Sequence, residues 1–208
     1  MKINNTTILT LAITLLIGGI GGYLLNNNSI SNLSTMPMNG TMPGANQMLD
    51  GSMMGPNNGM GHMGMTVTSE REFIEGMIPH HQEAIDTAGE VLERGATTPE
   101  MKGLTEGIIV AQKAEIENMK NWYEAWYGVS YQDTDDYDSM MRDLSDLSGV
   151  EIDRAFLQDM IMHHMGAIMM ARSVQPYVEH QELENLTKAV IETQSKEIQQ
   201  MRNILSSL

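Results

Sequence analysis

A nine-residue stretch occurs twice in the chain, and this duplication constrains the fold more than any other feature. The first copy covers residues 73–81 and reads FIEGMIPHH, and the second covers 156–164 and reads FLQDMIMHH. The phenylalanine, the first methionine and both histidines recur in register, 83 residues apart. In each copy the methionine precedes the histidines by three and four positions, and such positions share one face of a helix. Each copy therefore predicts a helix that carries a thioether beside two imidazoles.

The spacing of apolar residues from 69 onward predicts four long helices. A capping box at residues 69–72 begins the first helix, which runs to about Arg94. Thr98 followed by Pro99 begins the second, which runs to about Tyr127. A second capping box at residues 148–151 begins the third, which runs to about Ser173. The fourth covers about residues 180–206, and apolar spacing in the acidic connector 128–147 predicts one further short helix.

The repeat extends into the second helix of each pair. Residues 112–119 read QKAEIENM and residues 194–201 read QSKEIQQM, 82 positions apart. The helical part therefore consists of two duplicated hairpins, and neither hairpin buries its apolar face alone. The predicted fold is all-α, a ferritin-like four-helix bundle over residues 69–208 with approximate twofold symmetry and one long crossing connection.

The chain before residue 69 divides into two further predicted segments. Residues 8–25 carry no charge and would span roughly 27 Å as a helix. No Ala-x-Ala cleavage site follows, so a signal anchor over residues 1–25 is favoured over a cleaved signal peptide. Lys2 before the span favours an N-terminus in the cytoplasm. Either interpretation predicts a protein outside the cytoplasm, in the periplasm or at the cell surface, and the favoured signal anchor also predicts a tether to the inner or cytoplasmic membrane.

Residues 26–68 are predicted to be a disordered linker because Asn, Ser, Gly, Pro and Met dominate without apolar periodicity. A disordered thioether gains nothing from burial, so the nine methionines of this segment need another explanation. One interpretation is a compositional drift or a sticky tether. The other, which we favour, is a flexible arm that captures Cu(I) or Ag(I), since thioethers select soft ions. The densest candidates are Met60, His62, Met63 and Met65.

Composition excludes several kinds of chemistry. The chain has no cysteine, which removes disulfides, thiolate zinc sites and iron–sulfur clusters. Its net charge of −15 provides no basic patch for phosphates, so no nucleic-acid partner is expected. No phosphate loop, nucleotide fingerprint or Ser/His/Asp arrangement is visible, so no enzyme activity is expected.

The duplicated stretch predicts a site for a soft metal ion. A di-iron site in a helical bundle needs Glu-x-x-His, and this motif is absent from the chain. Methionine is also a poor zinc ligand, so copper as Cu(I), with Ag(I) as its mimic, fits best. The alternative is that the methionines only fill the core. Glu115 and Glu197, at equivalent positions on the partner helices, are expected to accept histidine N–H groups rather than bind metal. The candidate ligands are Met77, His80, His81, Met160, His163 and His164, with Met162, Met165 and Met169 beside the second copy.

The paired motif Phe-(Ile/Leu)-x-x-Met-Ile-x-His-His, with Gln-x-x-Glu-Ile-x-x-Met after each copy, resembles the family known as domain of unknown function 305, over about residues 69–208. The resemblance implies a ferritin-like bundle outside the cytoplasm that binds Cu(I) and Ag(I) through the Met and His of the motif. Copper sequestration, transfer or resistance is the implied function, with a copper exporter or another copper-handling protein as partner. Pro79 stands where the second copy has Met162, which predicts two unequal half-sites.

Two other functions compete with copper binding. One is a metal-dependent oxidoreductase of the ferritin-like class that uses the histidine pairs for a redox metal. The other is a structural or sensory bundle without metal, in which every methionine belongs to the core. The missing Glu-x-x-His motif argues against the first, and the methionine-rich linker argues against the second.

Overall fold

The computed structural model describes residues 66–133 and 137–208. Four long helices account for most of them, with a short 3-10 turn between the last two. Within the described ranges the chain contains no strand, as an all-α prediction requires. The helices are α1 (Glu70–Arg94), α2 (Pro99–Tyr127), α3 (Gly149–Val174) and α4 (Gln181–Ser207), and the 3-10 turn is Gln175–Tyr177.

The predicted membrane anchor and most of the predicted linker lie outside the described residues. This includes Met60, His62, Met63 and Met65. Among the residues that the structure describes, no helix is both long and apolar enough to cross a membrane. Val67, near the end of the predicted linker, is buried and donates its backbone N–H to the Ser173 hydroxyl at 3.0 Å.

Three helix ends follow local chemistry that the sequence indicates, and one helix start does not. The Ser69 hydroxyl accepts the Glu72 N–H, and the Thr98 hydroxyl accepts the Met101 N–H, so both predicted N-caps are confirmed. Gly128 ends α2 in the left-handed region, at φ 69°. The predicted capping box before α3 is wrong, because the Ser148 side chain makes no capping hydrogen bond.

The predicted short helix in the connector is also wrong. Residues 140–147 form an irregular segment with a turn at 145–146. The methionine and leucine spacing that indicated a helix reflects burial instead, since Met141 and Leu144 pack into the core. The backbone N–H of Met141 donates to Glu83 on α1, and that of Arg142 donates to Asp159 on α3. These N–H groups are therefore bonded to side chains and not to the backbone carbonyls of a helix.

The core consists of two apolar clusters, and the 83-residue repeat relates the residues of one cluster to those of the other. One joins the first half of α1 to the second half of α3, and the other joins the second half of α1 to the first half of α3. The two helices are therefore antiparallel, and the histidine pairs fall between the clusters. Equivalent residues occupy the two clusters: Phe73 and Met77 with Met119, Val174 and Leu183 in the first, and Phe156 and Met160 with Met201, Val91 and Met101 in the second.

Each hairpin loop is fastened to the other hairpin by a buried carboxylate. Asp153 on α3 accepts the backbone N–H groups of Ala96 and Thr97 at 2.6 and 2.8 Å. Glu70 on α1 accepts those of Glu179 and His180, each at 2.8 Å. All of these positions correspond under the 83-residue repeat, so the bundle is closed by the same contact made twice.

Candidate metal centre

The four histidines of the repeated stretch meet in the middle of the bundle. His80 and His81 lie on α1, His163 and His164 lie on α3, and none exposes more than 1% of its surface. The rings of His80 and His163 are closest, with centroids 3.7 Å apart and planes inclined by 37°. Within each pair the centroids are 6.1 and 6.5 Å apart. The structure thus brings both copies of the motif into one layer.

Two carboxylates orient the outer histidine of each pair, His81 on α1 and His164 on α3. Glu115 Oε2 on α2 lies 2.8 Å from His81 Nε2, and Glu197 Oε2 on α4 lies 2.7 Å from His164 Nε2. A carboxylate that holds Nε2–H leaves Nδ1 as the atom with a free lone pair. The expected role of these two glutamates as partners of histidine N–H groups agrees with these contacts.

Six buried ring nitrogens have no hydrogen-bond partner. They are both nitrogens of His80, both of His163, and Nδ1 of His81 and of His164. A buried polar atom without a partner costs about 1–3 kcal/mol, and such atoms are rare in folded proteins. Six of them in one layer indicate a place where a ligand completes the bonding.

The inner histidine of each pair, His80 on α1 and His163 on α3, is held in the neutral form. Burial, followed by repulsion from His163, His81 and His164, lowers the pKa of His80 well below its ordinary value. Burial also lowers the pKa of His163, although contact with Glu83 opposes this shift. A neutral imidazole is the form that binds metal, so no proton has to leave before coordination at neutral pH.

Glu83 is a site residue that the motif did not reveal. Its Oε2 lies 3.2 Å from His163 Nε2 but without hydrogen-bond geometry. Burial alone would raise the pKa of Glu83, but contact with His163 and hydrogen bonds from the hydroxyls of Ser139 and Tyr137 and the N–H of Met141 lower it to about 2. The signal for Glu83 in the sequence is its position three residues after His80, on the same helix face.

The predicted methionines divide into two groups. Met77 and Met160 are fully buried, one turn before the histidines of their helices and in opposite apolar clusters. Met162, Met165 and Met169 lie on the solvent-exposed face of α3 instead, 50%, 40% and 48% exposed. They share one helix face, as the spacing predicts, and that face points outward; their role as metal ligands stays a prediction.

Histidines and carboxylates do not form a metal site by themselves in the described part of the bundle. In the described ranges, no three His, Asp or Glu side chains converge closely enough to hold an ion. The carboxylates near the layer are engaged: Glu115 and Glu197 with histidines, and Glu83 with the connector. Methionine is outside the set of His, Asp and Glu, so a thioether is the donor type that would complete a site with the imidazoles, and this combination suits soft monovalent ions.

The profile of one protein family matches the chain twice. This is Domain of unknown function (DUF305), matched over residues 25–123 and 70–205. The chain belongs to the DUF305 family. Among proteins with curated descriptions, none matches.

Solved structures of the protein CopM resemble this DUF305 chain over the bundle. The Cu(I)-bound form of CopM is 36% identical, with a TM-score of 0.61, and the match covers 68% of this chain and 98% of CopM. The Cu(II)-bound form is 35% identical with a TM-score of 0.61, covering 67% and 97%. The form soaked with silver is 35% identical with a TM-score of 0.60, covering 68% and 98%. The described bundle is thus the fold of a protein whose structures hold copper and silver.

Proposed function

We propose that this protein binds Cu(I), with Ag(I) as a surrogate, in the histidine layer between α1 and α3. The observation that carries the proposal is the set of six unpartnered ring nitrogens on four buried imidazoles. Retaining them in an apolar bundle costs stability, and a metal ion that accepts the one lone pair of each neutral imidazole recovers part of it. The similarity to copper- and silver-bound CopM supports this choice of ligand.

The donor set favours a soft ion over a hard one. Met77 and Met160 occupy the positions one turn before the histidines, where a di-iron site would carry glutamates. Neutral imidazole and thioether together suit Cu(I), whereas iron and zinc prefer carboxylates, imidazoles and thiolates. The charge of −15 raises the concentration of cations near the surface without taking part in coordination.

Sequestration or transfer of copper is the activity we propose, rather than catalysis. The histidine layer is fully buried, and the cavity of about 540 Å³ beside it is lined by Glu83 and Tyr137 and not by the histidines themselves. We place the protein outside the cytoplasm, held to the membrane by residues 8–25, with a copper exporter or another copper-handling protein as its partner. The apolar stretch in the sequence supports this location.

An anaerobic Cu(I) titration of the full chain against a competing chelator tests the proposal. The test variant changes His80, His81, His163 and His164 together to leucine, which fills the space of the rings without ring nitrogens. The matched control is His180→Asn, because His180 lies outside the layer and is partly exposed. We expect the quadruple variant to lose the tightest site and His180→Asn to retain it. Equal affinity in all three proteins, with folding verified by circular dichroism, would refute the site.

A further inference from the structure

The repeat places different residues beside the two inner histidines. Glu83 on α1 corresponds to Gly166 on α3, 83 positions later. Glu83 Oε2 lies 3.2 Å from His163 Nε2. In the other half, a methyl group added at Gly166 would lie 3.2 Å from His80 Nε2. His80 therefore faces a missing side chain at the position where His163 faces a carboxylate.

The gap at Gly166 is occupied by Met140. The Sδ and Cε atoms of Met140 both lie 3.6 Å from the point where that methyl group would stand. A thioether thus borders the same small space as the unpartnered Nε2 of His80. Met140 belongs to the connector between α2 and α3, which occurs once in the chain, so the second half has no equivalent of it.

The connector is fastened on both sides of Met140. The Ser139 hydroxyl and the Met141 N–H both donate to Glu83. The Arg142 guanidinium forms two hydrogen bonds with the Asp159 carboxylate, at 2.7 and 2.6 Å. These contacts anchor the backbone to α1 and to α3, so the thioether is directed toward the histidine layer by its neighbours.

We propose that Met140 is a thioether ligand of a soft monovalent ion bound at His80 Nε2, which rests on the copper-binding function proposed above. The two halves of the layer then offer different donors. The His80 half provides an imidazole and a thioether, both neutral, whereas the His163 half has the Glu83 carboxylate beside it. Because thioethers select soft ions and carboxylates suit harder ones, Cu(I) and Ag(I) bind first in the His80 half.

The competing explanation is that Met140 only fills the gap above Gly166, as methionine does in many cores. Leucine fills such a gap almost as well, since exchange of Leu and Met usually costs less than about 1.5 kcal/mol of stability. A variant that replaces Met140 with leucine therefore separates packing from ligation. Met141→Leu is the matched control, because Met141 is the next residue, is buried, and packs in the apolar cluster around Leu144.

The test is a silver titration of the full chain labelled with carbon-13 at the methionine methyl groups. The Met140 signal is assigned by its loss in Met140→Leu. We expect this signal to shift as the first Ag(I) ion binds, and to stay in place in His80→Leu. In competition measurements, Met140→Leu should lose at least about tenfold in Ag(I) affinity, the scale of loss found even for residues behind the ligands. Met141→Leu should bind as the unchanged protein does.

The outcomes separate this inference from the proposed function. If His80→Leu weakens Ag(I) binding but Met140→Leu does not, and the Met140 signal does not move, Met140 is only a packing residue and the inference is wrong. If His80→Leu and the quadruple histidine variant bind Ag(I) as tightly as the unchanged chain, the histidine layer itself is not the site. Thermal unfolding of each variant verifies that the bundle is intact.

Discussion

In the first hairpin Glu115 holds His81 at 2.8 Å, and in the second Glu197 holds His164 at 2.7 Å. The scaffold of the two halves is equivalent at this level, since the repeat also pairs the core phenylalanines, the buried methionines and the carboxylates that fasten the loops. The duplication has preserved what orients the outer imidazoles and what closes the bundle.

The inner imidazoles are treated differently. His163 lies beside Glu83, and His80 lies beside Gly166 and the connector methionine Met140. The connector is the part of the described bundle that the repeat does not duplicate, so it is the natural source of asymmetry. The two inner histidines therefore have different neighbours because of one difference between the helices, Glu83 against Gly166, and because of the single connector.

The largest expected effect tests the equivalence of the scaffold. Asp153→Ala removes an acceptor that is fully buried and leaves the N–H groups of Ala96 and Thr97 without partners. Hydrogen bonds to charged groups contribute about 1.5–3 kcal/mol each, so we expect a loss of about 3 kcal/mol in the free energy of unfolding. Glu70→Ala should lose about 2 kcal/mol, since its partner His180 is partly exposed. Urea denaturation measures both, and a negligible loss in either variant would show that only one loop is fastened.

The Glu70 contact also carries a pH dependence of known sign. Burial raises the pKa of Glu70, but hydrogen bonds from the N–H and ring of His180 and from the N–H of Glu179 lower it below the ordinary value of 4.5. A carboxyl with a lowered pKa in the folded state stabilises the protein fully above 4.5, and this stability is lost as the pH falls toward the lowered value. The difference in unfolding free energy between the unchanged chain and Glu70→Gln should therefore shrink below pH 4.5.

A smaller effect on the free energy of unfolding, with opposite signs for the two variants, compares the inner His80 with the outer His81. Both nitrogens of His80 are buried without partners, whereas Nε2 of His81 bonds to Glu115. In the presence of a chelator, His80→Leu should raise the free energy of unfolding by about 1 kcal/mol, because it removes an unsatisfied group. His81→Leu should lower it by about 1 kcal/mol, because Glu115 loses its partner. If both variants are destabilised equally, water satisfies the ring nitrogens of His80, and the layer does not lose stability for want of a ligand.

The fold was largely predictable from the sequence because its signals are local. Capping residues and apolar spacing give the helix bounds to within a residue or two, and the duplication gives the pairing into hairpins. The connector was not predictable in this way. Its apolar residues have helical spacing, but their backbone donors are used by Glu83 and Asp159, which are far away in sequence.

The site was predictable only as far as the repeat extends. The motif identified the buried histidines and Met77 and Met160, and the second stretch identified Glu115 and Glu197. The sequence did not identify Glu83 beside His163 or Met140 beside Gly166, because neither residue belongs to a duplicated pair of like residues. The sequence signal for Glu83 is its position three residues after His80, and its contrast with Gly166 in the other copy has meaning only when the packing across the twofold is known.

The smallest expected effect compares exposed thioethers with buried ones. Met162, Met165 and Met169 share the outer face of α3, whereas Met77 and Met160 are fully buried. Changing the exposed three to glutamine should alter the free energy of unfolding by no more than about 0.5 kcal/mol, as is usual for surface positions.

The same triple variant should bind the first Ag(I) ion as tightly as the unchanged chain, whereas Met77→Leu combined with Met160→Leu should weaken binding. Competition titrations of the two variants side by side make the comparison. A loss of affinity in the triple variant as large as that in the buried pair would extend the site to the surface of α3. Spacing of i, i+3 and i+7 places three thioethers on one face but does not say which way that face points. Burial shows which way it points, and the two titrations test whether the buried or the exposed methionines bind the ion.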